Sequence, residues 1–155
     1  MAGVSFYKNV KMINWYPPYL GAGIKLKKVN QDKTRMEVEL RKTWFNKNLF
    51  GTHFGGSLYA MCDPFYVFIV HNYLGRGYVV WDKSAAIKFI KPGTGKVKAI
   101  FEISQEKLLE LKAEADNNGK HTVFFETVIT NEDQEVVAKV RKEIYMRKKV
   151  IEAST

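Results

Sequence analysis

The segment from Asn48 to Pro64, NLFGTHFGGSLYAMCDP, decides how this chain folds. Glycines, a histidine and an asparagine precede an apolar run, and Asp63-Pro64 interrupts that run with a carboxylate and a proline. Gly75 follows where a helix end favours glycine. Residues 55–73 are apolar on nearly every side. They therefore predict one long helix that is buried all round.

Asp63 lies inside this predicted helix, and two interpretations account for it. An ionised carboxylate is costly in an apolar setting unless it has partners or faces a cavity, so Asp63 is a candidate general base or nucleophile. Alternatively, Asp63 caps a second helical segment that starts at Pro64, and the helix is kinked or broken there. The two interpretations are compatible, because a kink also exposes the carboxylate.

The helix start carries a second candidate site. The first amides of a helix have no internal acceptor, and Gly55 and Gly56 let a ligand approach them closely. They are suited to an anion or a developing oxyanion. The alternative is that the glycines only permit tight packing and that Ser57 caps the helix. In the preceding loop, His53 either polarises a carbonyl or supports the loop, and Asn48 is either a hydrogen-bonding group of the site or a turn residue.

The rest of the chain predicts an α+β domain. Alternating apolar and charged residues predict a hairpin over residues 24–40 and later strands at about 78–90, 95–104, 121–130 and 135–147. Helices are predicted over 4–16, within an N-terminal helical segment 1–16 that Pro17-Pro18 stops, and near 106–115. We expect a single domain over 1–155 in which an antiparallel sheet wraps the central helix. A second subunit is the simplest cover for the helix face that the sheet leaves open.

Composition and net charge narrow the class of ligand that the protein can bind. The chain has 155 residues and a net charge of +9, which suits an anionic ligand. The segment from Lys91 to Lys96 is predicted to be a hairpin, and its two lysines either belong to a solvated turn or hold phosphates as point charges. One cysteine indicates a reducing compartment, and we expect a cytoplasmic protein. The pattern indicates neither a metal site, nor a membrane span, nor a nucleic-acid-binding motif.

Asn48, the Gly55-Gly56 pair and Asp63 resemble the motif of the hot-dog fold acyl-CoA thioesterases of the phenylacetate-pathway type. The sequence of residues 51–66 resembles the DUF4442 family more closely, as do Trp81-Asp82-Lys83 and Lys91-Pro92-Gly93. That hot-dog family is described as tetrameric acyl-CoA thioesterases. The resemblance covers roughly residues 15–149. One departure is clear: these thioesterases usually have a histidine directly before the glycine pair, where this chain has Phe54, and His53 lies one residue earlier.

The resemblance implies a thioesterase that converts an acyl-CoA to a free acid and CoA without a metal or redox cofactor. It also implies a homodimer or homotetramer with active sites between subunits. The implied catalytic residues are Asp63, Asn48, Gly55 and Gly56. The implied substrate-binding residues are His53, Phe54, Trp81, Lys83, Ser84, Lys91 and Lys96.

Two other functions fit the same residues. A hydratase or dehydratase pairs a histidine with an acidic residue, and the string around His53 loosely resembles a His-Phe motif of acyl-carrier-protein dehydratases. That motif's prolines are missing here. A non-catalytic protein that binds acyl-CoA or a related lipid is the other alternative, and the missing histidine before the glycine pair keeps it open.

Overall fold

The structure is a computed structural model that describes residues 10–149. The predicted helix over 4–16 lies partly outside these residues, and its described part is a 3₁₀ helix, Val10–Trp15. This helix ends at Trp15, one residue before the predicted end. However, the proline pair does not stop the helical path, because Pro17 begins α1 (Pro17–Ala22). Proline is well tolerated at a first helical position, where its missing N–H would have no acceptor.

Six strands of the described part form one antiparallel sheet in the order β1-β2-β4-β5-β6-β3. The predicted strands are confirmed, with these bounds: β1 Ile24–Val29, β2 Arg35–Arg41, β3 Tyr78–Phe89, β4 Lys96–Glu102, β5 Lys120–Thr130 and β6 Val136–Lys148. The β1–β2 hairpin is also confirmed, with Ile24 opposite Leu40. Alternate residues of β2 and β4, and of β6 from Ala138 onward, face the buried side, as the period of two requires.

The hairpin predicted from Lys91 to Lys96 is wrong. β3 pairs with β6, whereas β4 lies between β2 and β5, so this segment crosses between strands that are not neighbours. The physical reason is that β4 continues the apolar face of β2, with Val97 opposite Leu40 and Ala99 opposite Val38. A local turn pattern carries no information about which distant strand supplies the partner.

The central helix exists but is broken. α2 (Gly55–Ala60) and α3 (Phe65–Leu74) are separated by residues 61–64, and the Asp63–Pro64 peptide bond is cis. Proline removes a helical donor and disfavours helical geometry in the residue before it. Asp63 does not cap α3, because Pro64 occupies that position and makes no side-chain cap. The single helix predicted over 55–73 is therefore two segments, which the alternative interpretation of Asp63 had anticipated.

Burial differs between the two segments. α3 is buried on most sides as predicted, through Phe65, Tyr66, Val67, Phe68, Ile69, Val70 and Leu74. In α2 only Leu58 is buried. The prediction of burial all round therefore fails for the first segment, whose outer face the sheet of the same chain does not cover.

The last helix is longer than predicted. α4 runs over Gln105–Asn118, and Ser104 caps it by accepting a hydrogen bond from the Lys107 amide. Leu108 and Leu111 are buried, whereas Leu109 is exposed. No helix in residues 10–149 is long and apolar enough to cross a membrane.

The β3 edge of the sheet has no partner strand within the described chain. Neighbouring residues of a strand point to opposite faces, and both Ala85 and Ala86 are exposed. The second half of β3 is therefore uncovered on both faces as well as along its edge. Such an edge is a template for pairing with another strand.

Candidate active site

Asp63 lies at the break between α2 and α3, with its side chain 46% exposed. Its Oδ1 lies 3.2 Å from Nζ of Lys142, which donates a hydrogen bond to it. The Lys142 side chain is only 1% exposed. The Tyr19 hydroxyl donates to the backbone oxygen of Asp63 and so fixes the chain at the break. The helix break thus presents a carboxylate to solvent while a buried cation holds it from behind.

A second carboxylate completes this cluster. Oδ2 of Asp82 on β3 lies 3.0 Å from the same Nζ, and its side chain is 22% exposed. Burial and a hydrogen bond with the Asp63 side chain raise the pKa of Asp82 to about 7, against the opposing effect of Lys142. Burial by itself lowers the pKa of Lys142, but the charges of Asp63 and Asp82 raise it above its ordinary value. The ammonium group therefore stays charged at neutral pH.

Asp82 and Lys142 were missed as site residues by the sequence-based prediction. The missed signal is the strand alternation itself, because Lys142 occupies the inward position between Val140 and Ile144, both buried. In β3, Asp82 continues the inward series of Tyr78 and Val80. A charged residue at an inward strand position needs a partner, and two such residues in one sheet are natural partners.

The helix start is structurally constrained. A Cβ atom on Gly55 would lie 3.0 Å from the Phe89 ring, and one on Gly56 would lie 2.4 Å from the Phe54 ring. A side chain at either position would therefore have to displace an exposed phenylalanine ring. Ser57 does not cap the helix, because Phe54 occupies the cap position. Among the described residues, neither the Gly55 nor the Gly56 amide has a hydrogen-bond acceptor.

A groove of about 380 Å³ opens beside the helix start. It brings together several predicted site residues with an apolar strand end, and its lining is Asn48, Thr52, His53, Gly55, Leu58, Phe89, Ile90, Lys91, Pro92 and Gly93. Asp63 is not part of this lining. α2, about 9 Å long at 1.5 Å per residue, lies between Gly55 and the helix break. One chain therefore does not bring the two halves of the predicted site into one cavity.

Asn48 organises the loop before α2. Its Oδ1 accepts hydrogen bonds from the amides of Phe50 and Thr52, and its Nδ2 donates to Oγ1 of Thr52 and to the backbone oxygen of His53. These four bonds use the full capacity of the carboxamide. The geometry matches the turn interpretation, and the predicted catalytic role of Asn48 stays a prediction.

His53 is 4% exposed. Its Nε2 lies 3.1 Å from the backbone oxygen of Gly95, and its amide donates to the oxygen of Gly93. Burial lowers the pKa of the ring, so the imidazole is neutral near pH 7. These contacts tie the loop to the crossover segment 90–95. His53 lines the groove, but its ring nitrogen is engaged with the backbone.

The remaining predicted substrate-binding residues are scattered. Trp81 stacks on Tyr145 at 4.7 Å, and Lys83 and Ser84 both bind Glu143. Lys91 lies 2.7 Å from Glu135 and Lys96 lies 3.7 Å from Glu132, so both lysines are paired with carboxylates of the β5–β6 turn. Phe54 is 58% exposed and covers Gly56. Of this set, only His53 and Lys91 line the groove at the helix start.

Metal-binding geometry is not found among residues 10–149, where no group of three or more histidine, cysteine, aspartate or glutamate side chains could hold an ion. Cys62 is buried beside the cluster, and burial raises the pKa of its thiol to about 12. A thiol in that state is a weak nucleophile at neutral pH. The chemistry available at the helix break is therefore that of two carboxylates and one ammonium group.

A broken apolar helix wrapped by a six-stranded antiparallel sheet defines the hot-dog fold. The chain belongs to the DUF4442 family, a domain of unknown function whose model matches residues 8–146. No curated protein sequence matches the chain significantly.

Solved structures share this fold at low sequence identity. A probable thioesterase of unknown function from Pseudomonas aeruginosa is 16% identical with a TM-score of 0.77, and the match covers 93% of this chain and 92% of that one. A thioesterase from Haemophilus influenzae is 14% identical with a TM-score of 0.67, over 96% and 94%. The PaaI protein of the Escherichia coli phenylacetic acid degradation operon is 17% identical with a TM-score of 0.62, over 96% and 97%. At these identities the likeness establishes the fold.

Proposed function

We propose that this protein is an acyl-CoA thioesterase that hydrolyses an acyl thioester to a free acid and CoA. The observation that carries the proposal is Asp63, a half-exposed carboxylate at the helix break, held at 3.2 Å by the buried Lys142. A buried ion pair of this kind fixes the direction of the exposed carboxylate. The amides of Gly55 and Gly56, which lack acceptors in the described chain, supply the second element that thioester hydrolysis needs.

The roles follow from this chemistry. Asp63 takes a proton from water while the water oxygen forms a bond to the thioester carbonyl carbon. The amides of Gly55 and Gly56 donate hydrogen bonds to the oxygen that becomes negative. The carbon–sulfur bond then breaks, the thiolate leaves with the bonding electron pair, and it receives a proton. Direct attack by Asp63 is the alternative first step, and it gives an acyl-enzyme anhydride that water then hydrolyses.

Two subunits complete the site in this proposal. Asp63 does not line the groove that contains Gly55, although both groups act on one carbonyl. The free edge of β3 and the uncovered outer face of α2 support an assembly in which one protomer's Asp63 meets the helix start of its partner. The same arrangement covers the exposed Phe54 and Phe89, which flank the glycines.

The CoA phosphates have a better candidate site than the paired Lys91 and Lys96. A second groove, of about 670 Å³, adjoins the crossover segment at Gly95. Its basic residues outnumber its acidic residues, Glu39 and Glu132, and they are Lys25, Lys27, Arg41, Lys42 and Lys96. Lys25, Lys27 and Arg41 form no ion pair within the described chain, so their charges are available to phosphate groups.

The contacts of His53 do not favour a hydratase or dehydratase. Such chemistry pairs a histidine with an acidic residue, whereas the His53 ring contacts the backbone oxygen of Gly95. Incubation with an enoyl thioester separates these activities, because hydration removes the conjugated double bond and hydrolysis releases free thiol. Non-catalytic binding predicts a raised melting temperature with acyl-CoA and no thiol release.

The proposed function is tested with a panel of short, long and aromatic acyl-CoAs, read by thiol release. We expect turnover of at least one member and a loss of about 10²-fold or more in kcat for Asp63→Asn, the scale of general-base catalysis. Asp133→Asn, the same change in the exposed β5–β6 turn, is the matched control and retains full activity. Full activity of Asp63→Asn, or no thiol release by the unaltered protein from any substrate, would reject the proposal.

The phosphate site is tested separately with Lys27→Glu. This change should raise KM for an acyl-CoA while leaving KM unchanged for the corresponding acyl-N-acetylcysteamine, which has no phosphate. Lys120→Glu on β5 changes the net charge equally but lies outside the groove. Equal effects of the two variants would mean that only overall charge matters.

A further inference from the structure

The cluster at the helix break contains more acidic groups than a single catalytic base requires. Lys142 contacts two carboxylates, Asp63 at 3.2 Å and Asp82 at 3.0 Å, while it is 1% exposed itself. One cation balances one carboxylate, so a negative charge remains if both acids are ionised. In a buried setting that excess charge favours binding of one proton.

A β-bulge in β3 produces this arrangement. The β3–β6 register shifts between Asp82 and Ser84, which places one extra residue, Lys83, in β3. A bulge of this kind re-aims the neighbouring side chains. Asp82 faces inward with Ile144 opposite it, and Lys83 faces Glu143 on the other side. The bulge thus separates the buried acid from the surface ion pair beside it.

Asp82 has an oxygen that is suited to carrying the proton. Its Oδ2 contacts Lys142, whereas its Oδ1 is buried without a hydrogen-bond partner. A protonated Oδ1 is a donor, and the Asp63 side chain lies within hydrogen-bonding reach of Asp82. Protonation of Asp82 therefore gives the pair the donor that two ionised carboxylates lack.

The other titratable groups around Asp63 and Asp82 do not change the assignment of the proton to Asp82. The Tyr59 hydroxyl lies 3.4 Å from Nζ of Lys142, and its ring lies 5.1 Å from the same atom. Burial raises the pKa of the Cys62 thiol and of Tyr19, so both are neutral at pH 7. The shifts of Cys62 and Tyr19 therefore add no proton that is exchanged near neutral pH, whereas the pKa of Asp82 lies at about 7.

We propose that Asp63, Asp82 and Lys142 form a proton-transfer unit, in which the buried Asp82 stores the proton that Asp63 takes from water and returns it to the leaving thiolate. This inference rests on the proposed thioesterase function. Asp63 touches the reacting atoms, whereas Asp82 and Lys142 are positioning residues that act through it.

Protons balance along this route. Water gives one proton to Asp63 as its oxygen bonds to the carbonyl carbon, and Asp63 passes that proton to the ionised Asp82. When the carbon–sulfur bond breaks, the proton returns through Asp63 to the sulfur. A carboxyl pair that titrates near pH 7 has a pKa between that of a lone aspartate and that of a thiol. It can therefore serve as a base and then as an acid at neutral pH.

Carbon NMR of ¹³C-labelled aspartate carboxyl groups tests the unit without any substrate. The unaltered protein should show a titration step of the pair near pH 7 that is absent in Asp82→Asn and unchanged in the control Asp133→Asn. Titration of both carboxyl groups below about pH 5, the range of ordinary aspartates, would overturn the inference whatever the activity is. Lys142→Met supplies a second check, since loss of the cation should move the step to higher pH.

The pH dependence of kcat/KM tests the catalytic use of the unit. Activity should rise through pH 7 in the unaltered protein, because the fully ionised pair is the stronger base. In Asp82→Asn this limb should move down by about one pH unit or more, and kcat should fall by about tenfold or more. An unshifted limb in an active Asp82→Asn protein would overturn the inference. If the NMR titration step near pH 7 is present but no thiol is released, the proposed function and the proton relay are both rejected. The conclusion that the two carboxyl groups share a proton would then still hold.

Discussion

Nζ of Lys142 on β6 lies 3.2 Å from Oδ1 of Asp63, two residues that are distant in sequence and meet at the break in the central helix. One partner is 1% exposed and the other 46%. The lysine is therefore part of the core, whereas the aspartate is open to a ligand. This asymmetry distinguishes the contact from the exposed ion pairs of the molecule, which contribute little to stability.

Replacement of Lys142 by methionine should destabilise the protein in a pH-dependent way. At pH 8 it leaves two adjacent carboxylates without a cation, and loss of one partner of a buried pair costs about 3–5 kcal/mol. At pH 5 the loss should be smaller, because the carboxylates can bind a proton. Urea unfolding at both pH values measures the difference. Lys139→Met, at an exposed position of the same strand, should change the free energy of unfolding by less than about 0.5 kcal/mol.

An equal loss of stability at pH 5 and pH 8 in Lys142→Met would contradict the electrostatic explanation. Packing of the lysine side chain would then account for the whole effect.

Asp82 should make the protein less stable as the pH rises. Its pKa is about 7 in the folded chain and about 3.9 in the unfolded chain, so only the native state holds this proton between those values. The free energy of unfolding then falls by about 1.4 kcal/mol per pH unit over that window, up to about 4 kcal/mol in total. Below pH 4 and above pH 7 this contribution is constant.

The variant Asp82→Asn removes this slope, so its stability relative to the unaltered protein should rise from pH 4 to pH 7. His53 acts in the opposite direction, because burial lowers its pKa and native stability falls as the pH drops below 6.5. Both proteins contain His53, so the difference between their stability–pH curves isolates Asp82. A constant difference across the range would mean that Asp82 does not titrate there.

Asn48→Ala should loosen the loop before α2. The substitution leaves the amides of Phe50 and Thr52 without acceptors, which costs about 0.5–1.5 kcal/mol for each lost hydrogen bond, because water can reach this exposed loop. Faster amide hydrogen exchange over residues 48–53 reports the change. Asn48→Asp is the informative comparison, because its carboxylate keeps both acceptor contacts and loses only the donors. A large fall in kcat for Asn48→Asp with a protected loop would instead favour the catalytic role.

Mixed subunits test whether the site lies between protomers. Asp63→Asn lacks the base, and Gly55→Val blocks the helix start because even a Cβ atom would lie 3.0 Å from the Phe89 ring. Each variant alone should be inactive. Equal mixing with subunit exchange should restore about a quarter of the activity, since half of the dimers are mixed and each has one intact site. No recovery on mixing, with subunit exchange demonstrated, would place the site within one chain.

Much of the fold could be predicted from local patterns. The β1–β2 hairpin and β6 follow from the period of two, and α3 follows from an apolar run whose burial the structure confirms. The exception at Lys91–Lys96 is instructive, because a Pro-Gly turn flanked by strands looks the same whether the strands pair or not. Strand partners are chosen by which apolar faces close one core, and that choice involves residues far apart in the chain.

The candidate site was only half predictable for a related reason. Asp63 and the glycine pair are close in sequence, so their spacing could be recognised directly. Lys142 and Asp82 carry no local motif, and their meaning depends on the inward direction of two strands that become neighbours only on folding. Asn48 and His53 attract attention by residue type, yet the structure shows their polar atoms engaged within the loop and the crossover segment.

The amino-acid sequence by itself determined the six strands and most of the helical segments of the described chain, the proline that breaks the central helix and the carboxylate at that break. These features depend on side-chain periodicity and on the backbone limits of proline, which act over a few residues. Only the tertiary structure decided that Lys142 and Asp82 surround Asp63. A buried charged side chain is tolerated only when an oppositely charged partner contacts it. Which partners come into contact depends on strand pairing and not on any local segment.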